Sequence, residues 1–271
     1  MRFLYAEGCR NVCGYVFFGW LCAEKETKMK DECSLTCQNK GEGADGCRTC
    51  RAKKLKGEWI RKYVFALLLT VAGGFAGAYS FSLRGGVFAN MQTGNVLKTV
   101  LSLVDGGGVA EYVFPLLSFI FGTVIAVITG RAKFAEEIIL SLEICAYAAC
   151  FVFFTKAEFD IYANCIISFS CALQFEFYRE VCGRGFCSVM STNNLRMAVE
   201  SFTLAAKNKS KEEFKNGFFY FSFVPAFAFG VLCCALLSKS FGNDCIIFSE
   251  IIFAALLIAK FCFSGKKALA K

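Results

Sequence analysis

The sequence predicts an all-α membrane protein with six transmembrane helices and two polar, re-entrant or broken helices. Its composition is the first reason: 56% of the 271 residues are hydrophobic, 32 are Phe, and the mean hydropathy is +0.50, well above the values typical of soluble domains. The second reason is a series of apolar segments about 20 residues long, the length that crosses about 30 Å of hydrocarbon as a helix. Because lipid offers the backbone no hydrogen-bond partners, such segments must be helical.

The apolar segments define a transmembrane domain, residues 62–265. Six of them are long enough to span the membrane: approximately 63–83, 112–130, 138–155, 159–178, 217–238 and 245–263. Residues 1–61 before them are a polar, Cys-rich extension, and residues 266–271 after them are a basic tail. Because Lys and Arg collect on the cytoplasmic side of a membrane protein, we expect both flanking parts to lie in the cytoplasm.

Two further segments, 87–104 and 186–204, have spanning length but are too polar to face lipid. The positive-inside rule decides between two topologies. If both segments cross fully, giving eight spans in two parallel repeats of four, the basic residues of two short loops fall outside: Arg131, Lys133, Arg179 and Arg184. If both are re-entrant, six spans remain and these residues lie inside with the cluster Lys207, Lys209, Lys211 and Lys215. We favour six spans with both termini cytoplasmic.

An internal repeat relates the two halves of the domain, about 62–155 and 159–263. The stretch FANMQTGNVLKTVLS aligns with CSVMSTNNLRMAVES at an offset of 99 residues, matching Met91 with Met190, Thr93 with Thr192, Asn95 with Asn194 and Ser102 with Ser201. At an offset of 108 residues, FIFG at 119–122 aligns with FAFG at 227–230. Because each half contains an odd number of spans, three, the second half must be inserted upside down. The pattern therefore predicts two inverted repeats.

Inverted repeats of this kind place broken helices near the middle of the membrane, where backbone ends and polar side chains bind a solute or an ion. Gly94 can adopt the backbone conformations that a break requires, and Asn side chains both donate and accept hydrogen bonds. The predicted substrate-binding residues of the two polar segments are Asn90, Thr93, Gly94, Asn95, Thr192, Asn193, Asn194 and Arg196. The alternative is that these groups only bond neighbouring helices, and that Arg196 pairs with Glu200 one helical turn away.

Three carboxylates fall within the apolar segments: Glu143, Glu176 and Glu250. A carboxylate at membrane depth is costly and usually faces a cavity or an opposite charge, so each is a candidate for ion or proton coupling. Glu143 and Glu250 lie about five residues from the starts of their segments. For these two, side chains that reach toward the lipid headgroups are the alternative.

A family resemblance rests on the stretch GGFAGAYSFSLRGGVFANMQTGN and the downstream LEICAYA and CALQFEFYREVCGRGFCSVMSTNNL. These stretches resemble the YoaK family of bacterial inner-membrane proteins, a family of unknown function, over about residues 62–265. Thr93, Gly94 and Asn95 form the most specific part of the resemblance, and Glu143 and Gln174 fit two further landmarks. The resemblance implies a bacterial plasma-membrane protein, and it adds Gln174 to the substrate-binding candidates.

The sequence departs from that family pattern at three places. The Asp of the family appears here as Gly77, the Asn beside Gln174 appears as Phe175, and an additional Gln92 separates Met91 from Thr93. If the family Asp carries a coupling proton, this protein is altered in that step.

The N-terminal extension contains a candidate metal site. Cys33, Cys37, Cys47 and Cys50 follow the spacing C-x3-C-x9-C-x2-C, and four thiolates suffice for a structural zinc. Unpaired thiols without metal are the alternative, because short Cys clusters are weak evidence for zinc. A true start at Met29 would remove the residues before it. We expect no other cofactor.

Composition also limits the function. The chain has no His, which removes the commonest general base, and it has no phosphate-binding loop or Ser nucleophile motif, so we expect no enzyme. The net charge of +8 follows from the cytoplasmic loops and does not indicate a nucleic-acid partner. The sequence favours a transporter or channel for a small solute or ion, embedded in the lipid bilayer. A non-catalytic structural or accessory membrane protein is the alternative, and assembly as a homo-oligomer stays open.

Overall fold

The computed structural model describes the backbone of residues 44–154 and 156–268 and the side chains of residues 55–154 and 156–261. The chain divides into two compact units, Met1–Arg61 and Lys62–Lys271. Along the described residues the α-helices are α1 Ala44–Leu83, α2 Gln92–Val104, α3 Ala110–Thr129, α4 Ala135–Phe153, α5 Asp160–Phe177, α6 Thr192–Asn208, α7 Lys211–Phe221, α8 Phe223–Phe241 and α9 Ile247–Ala268. The architecture is therefore all-α, as the sequence predicts.

Short elements join some of these helices. Ala157–Phe159 and Gly242–Ile246 form 3-10 helices before α5 and α9. Between α5 and α6, strands β1 Glu180–Val181 and β2 Arg184–Gly185 pair antiparallel. Their two-residue turn has φ of 54° at Cys182 and 76° at Gly183, and positive φ at both positions is the geometry that matches the twist of a tight hairpin.

The helices have the length and apolarity of a membrane protein. Within the described residues, three segments are long and apolar enough to cross a membrane: Leu55–Leu83, Ala110–Thr129 and Lys211–Phe261, the last of which contains α7, α8 and most of α9. Large apolar side chains such as Val104, Ile128 and Phe153 lie on the outer surface, where they are 80%, 65% and 67% exposed. Continuous apolar surface of this kind indicates contact with lipid.

The apolar segment predicted at 217–238 contains a break between two helices. α7 ends at Phe221 and α8 begins at Phe223, with Ser222 between them. Pro225 has no backbone N–H, so it cannot donate to the carbonyl of Phe221, which a continuous helix would require. The proline therefore lies in the first turn of α8, where its missing donor costs least.

Glycines allow the helices to approach closely at two crossings. α3 packs along α5, and a Cβ added at Gly122 would lie 2.6 Å from the backbone oxygen of Phe169. α1 packs on α8, where a Cβ at Gly74 would overlap the backbone of Phe227 and one at Gly230 would overlap the backbone of Val71. Small residues at crossings of this kind let membrane helices pack backbone against backbone.

The largest buried cluster lies between α1, α4, α5 and α9. α4 packs on both α5 and α9, and Tyr147 of α4 stacks on Phe253 of α9 with ring centres 5.2 Å apart. The polar segments contribute Ala89, Cys187 and Val189 to the same cluster. The polar segments are thus built into the core.

Candidate functional site

The first polar segment is an irregular stretch followed by a short helix. α1 ends at Leu83, and Gly85 and Gly86 have φ of 74° and 73°, a left-handed conformation that Gly adopts readily. Gly94 lies inside α2 without a positive φ, so the expectation that it permits the break is wrong. Its role is steric, because a Cβ there would lie 2.5 Å from the ring of Phe88.

Asn95 and Asn194 hold the two polar segments in the same way. The side-chain oxygen of Asn95 accepts from the backbone N–H of Phe88 at 2.9 Å, and its amide donates to the Phe88 carbonyl at 2.7 Å. Asn194 makes the equivalent bonds with Cys187 at 3.0 Å and 2.6 Å. Both side chains are fully buried. Each therefore satisfies a peptide group that has left regular structure and would otherwise lack a partner.

Asn90 brings the two polar segments into contact. Its side chain is 1% exposed, and its amide donates to the carbonyl of Val189 at 2.8 Å and to that of Gly73 in α1 at 3.5 Å. Gly73 and Gly77 make room for this contact. A Cβ at Gly73 would lie 2.5 Å from the Ser188 oxygen, and a Cβ at Gly77 would lie 2.5 Å from the Asn90 amide nitrogen.

Gly77, which stands where the YoaK pattern has Asp, thus adjoins the contact between the two polar segments. Asn90, Gly73, Gly77, Ser188 and Val189 form what we call the segment junction.

Several buried polar atoms have no hydrogen-bond partner among the described residues. Within the two polar segments these are the side-chain oxygens of Asn90, Ser188 and Ser191. Elsewhere they are atoms of Glu143, Asn164, Ser168, Ser170, Tyr178 and Ser249. Because buried polar groups are normally bonded, the unbonded oxygens of the two polar segments are candidates to bind water, a solute or an ion.

Glu143 of α4 is the only one of the three predicted carboxylates that is fully buried, and neither of its oxygens is bonded within the described residues. Tyr147, Cys171 and Tyr178 lie within electrostatic range of it. Cys171 and Cys187 of the second polar segment belong to the same buried cluster.

The other two carboxylates have different surroundings. Glu176, near the end of α5, pairs with Arg179, three residues later, and its side chain is 13% exposed. Glu250 is half-buried in the first turn of α9.

The remaining predicted site residues divide into buried and exposed positions. Gln174 is buried and donates to the carbonyl of Leu69 at 2.9 Å, which ties α5 to α1. Thr93, Thr192 and Asn193 are exposed at the starts of α2 and α6. Arg196 is also exposed and bonds Glu200 at 3.0 Å, the ion pair that the alternative interpretation expects.

Lys98 supports the first polar segment from α2. Its ammonium donates to the carbonyl of Gly86 and lies 5.4 Å and 5.3 Å from the ring centres of Phe81 and Phe88. A cation over aromatic faces is stabilised by the ring quadrupole. Lys98 therefore stabilises the irregular stretch between α1 and α2.

Sequence reasoning missed the role of Arg84. The side chain is 0% exposed and donates to the hydroxyl of Tyr79 at 3.0 Å, the carbonyl of Phe154 at 2.6 Å and the carboxylate of Asp160 at 2.9 Å. The hydroxyl of Tyr79 in turn donates a hydrogen bond to the carbonyl of Asn243. Arg84 therefore joins the end of α1 to the links before α5 and α9. No local pattern in the sequence identifies this network.

The predicted zinc ligands are not tested by the structure. Cys33 and Cys37 lie outside the described residues, and Cys47 and Cys50 lie in α1 at positions whose side chains are outside them. In the described part of the chain, no group of three or more His, Cys, Asp or Glu side chains is placed to hold a metal ion.

Apolar helices of spanning length around a buried polar junction define an α-helical integral membrane protein. Residues 65–259 match a family described as proteins of unknown function, DUF1275, and the chain belongs to that family. The match agrees with the resemblance to YoaK-like proteins and covers nearly all of the predicted transmembrane domain. Comparisons with curated proteins and with solved structures find no match.

Proposed function

We propose that the protein is a transporter or channel that moves a small solute or an ion across the bacterial plasma membrane. The proposed site is the segment junction, between the Thr-Gly-Asn and Thr-Asn-Asn segments. The observation that carries the proposal is the hydrogen bond from Asn90 to Val189, which joins two polar segments that are far apart in the sequence within the buried core.

The unbonded atoms of the junction support a binding role. The free oxygen of Asn90 and the hydroxyls of Ser188 and Ser191 are buried without partners among the described residues. Packing alone would favour apolar side chains or fully bonded polar ones, because a buried unbonded group costs about 1–3 kcal/mol. A bound solute would supply the missing bonds.

We further propose six spans arranged as two inverted repeats. The 13 residues of α2 rise only about 20 Å as a helix, less than the thickness of the hydrocarbon core, which favours re-entry over crossing. The matching bonds of Asn95 and Asn194 support equivalence of the two polar segments. Gly122 and Gly230, 108 residues apart, both lie at close helix crossings, and each crossing pairs helices of opposite halves.

The proposed orientation places both termini in the cytoplasm. In this arrangement the basic residues from the end of α6 to the start of α7, Lys207, Lys209 and Lys211, face the cytoplasm, as the positive-inside rule requires. The helix end at Leu83, with Arg84 and its partner Asp160, lies on the opposite side.

Cysteine accessibility in oriented membranes tests the proposal directly. Single cysteines introduced as Thr93→Cys and Thr192→Cys in a variant without the native cysteines would be treated with an impermeant thiol reagent. We expect Thr93→Cys to react from outside and Thr192→Cys to react from inside, because inverted re-entrant segments open to opposite sides. Leu97→Cys, on the apolar face of α2 with 61% exposure, is the control and should stay unlabelled in lipid.

Labelling of both threonine positions from the same side would contradict the inverted arrangement. If neither position reacts, the transport assignment fails and the polar segments serve packing alone.

The second candidate is a non-catalytic structural or accessory membrane protein. One observation favours it: the side chains of Asn95 and Asn194 hydrogen-bond backbone groups of their own segments. Bonds of this kind stabilise local structure and leave less capacity to bind a solute. The two candidates differ at Asn90. Replacing Asn90 with Leu should abolish solute movement in a transporter, whereas an accessory protein should keep its activity as long as it remains folded and inserted.

A further inference from the structure

Glu143 lies alone in the packed interface between α4 and α5. Its carboxyl group is completely buried, and neither oxygen has a hydrogen-bond partner among the described residues. An ionised carboxylate in such a place is strongly disfavoured, whereas the neutral acid is tolerated. The side chain therefore requires either a proton or a bound cation.

The surroundings favour a proton over a metal cation. The titratable or charged side chains on α4 and on the elements packed against it that bear on Glu143 are Tyr147, Cys171, Tyr178, Asp244, Glu250 and Lys260. Tyr147, Cys171 and Tyr178 lie within electrostatic range of Glu143. None of these three side chains is a carboxylate. Hard cations require about six oxygen ligands, which two phenols and a thiol do not supply.

The nearest basic residue of α9 is engaged at the surface end of α4. Lys260 pairs with Glu136 and lies 3.9 Å from Glu137, two acidic residues in the first turn of α4. The positive charge of Lys260 is thus balanced by Glu136 and Glu137, six or seven residues before Glu143. A bound proton is then the simplest way to neutralise the carboxylate of Glu143.

We propose that Glu143 carries a proton at neutral pH. Coupling of this proton to a solute rests on the proposed transport function. Cys171, which lies within electrostatic range of Glu143, belongs to the same buried cluster as Cys187 of the second polar segment.

Infrared spectroscopy of the full-length protein in lipid bilayers tests the proton site without a transport assay. We expect a carbonyl stretching band of a protonated carboxyl group at neutral pH. This band should be absent in Glu143→Gln, shifted in Glu143→Asp, and unchanged in the matched variants Glu176→Gln and Glu250→Gln. Adding Na⁺ or K⁺ at constant pH should leave the band in place.

Absence of the band at neutral pH, or its loss on adding Na⁺ or K⁺, would overturn the proton assignment.

A second measurement separates this inference from the proposed function. The pH dependence of Thr93→Cys labelling would be compared with and without Glu143→Gln, so that the titration of the introduced thiol cancels in the ratio. A ratio that changes at least threefold with pH supports coupling between Glu143 and the polar segments, and a constant ratio contradicts it. If no labelling occurs but the infrared band persists, the proton site stands and the transport function fails.

Discussion

The amide of Asn90 donates a hydrogen bond of 2.8 Å to the carbonyl of Val189, the residue 99 positions later. In the repeat that the sequence predicts at an offset of 99 residues, Val189 corresponds to Asn90. The two polar segments meet at this bond, and Gly73 and Gly77 of α1 leave the space for them to do so.

Removal of the Asn90 side chain should weaken this junction. We expect Asn90→Ala to lower the free energy of unfolding by about 1–3 kcal/mol, because the buried Val189 carbonyl loses its partner. Thermal unfolding in detergent measures the change. Asn193→Ala, at an exposed position of the second segment, is the matched control and should stay within about 0.5 kcal/mol of the native protein. Equal effects of the two substitutions would contradict the structural importance of the junction.

Asn95 and Asn194 should respond alike to substitution. Asn95→Ala and Asn194→Ala each leave one backbone N–H and one carbonyl without their side-chain partner, in a partly buried position at Phe88 and a buried one at Cys187. We expect each to cost at least about 2 kcal/mol of unfolding free energy, because both a donor and an acceptor lose their partner. The corresponding Asp variants should recover part of that loss, since a carboxylate still accepts from the N–H. A large effect at only one of the two positions would contradict their equivalence.

Substitution of the crossing glycines should separate the helices they join. In Gly122→Ala and Gly230→Ala the new methyl group meets backbone atoms of Phe169 and Val71, so the helices must shift, at a cost of about 1–3 kcal/mol each. Gly57→Ala is the control, because a Cβ there has nothing within 4 Å and Ala favours the helix. Chemical unfolding in mixed micelles would compare the three. Neutral effects at Gly122 and Gly230 would contradict the packing of α3 on α5 and of α8 on α1.

Loss of the buried guanidinium should be among the most damaging single changes. We expect Arg84→Met to destabilise the protein by about 3 kcal/mol or more, because Asp160, Tyr79 and two backbone carbonyls lose their common donor. Arg84→Lys should recover little, since an ammonium cannot reproduce the planar set of donors. Lys156→Met, at a side chain with 77% exposure, serves as the control in the same thermal unfolding experiment. Full stability of Arg84→Lys would show that charge alone matters at this position.

Local features of the sequence were sufficient for the all-α class and for helices long and apolar enough to cross a membrane. The six spans and the repeat that pairs Asn95 with Asn194 stay predictions. The resemblance to YoaK-like proteins agrees with the family match over residues 65–259. Apolar length and residue type are properties of short stretches, so the sequence displays them directly.

The sequence also identified Glu143 as a carboxylate within an apolar segment, and it distinguished the packing and binding interpretations of Arg196 without choosing between them. The pairing of Arg196 with Glu200 is a contact along one helix, and such a contact can be anticipated from spacing alone.

Other features were decided only by the tertiary structure. Gly94 lies within α2 and fits against Phe88, so the break that the sequence assigned to it occurs earlier in the chain, at Gly85 and Gly86. The burial of Arg84 and the isolation of Glu143 depend on which helices pack together. The bond between Asn90 and Val189 joins residues 99 positions apart. By itself, the sequence determined which segments are apolar and which are polar, because these are local properties. Which polar groups find partners depends on contacts between distant segments, and only the packed helices decide it.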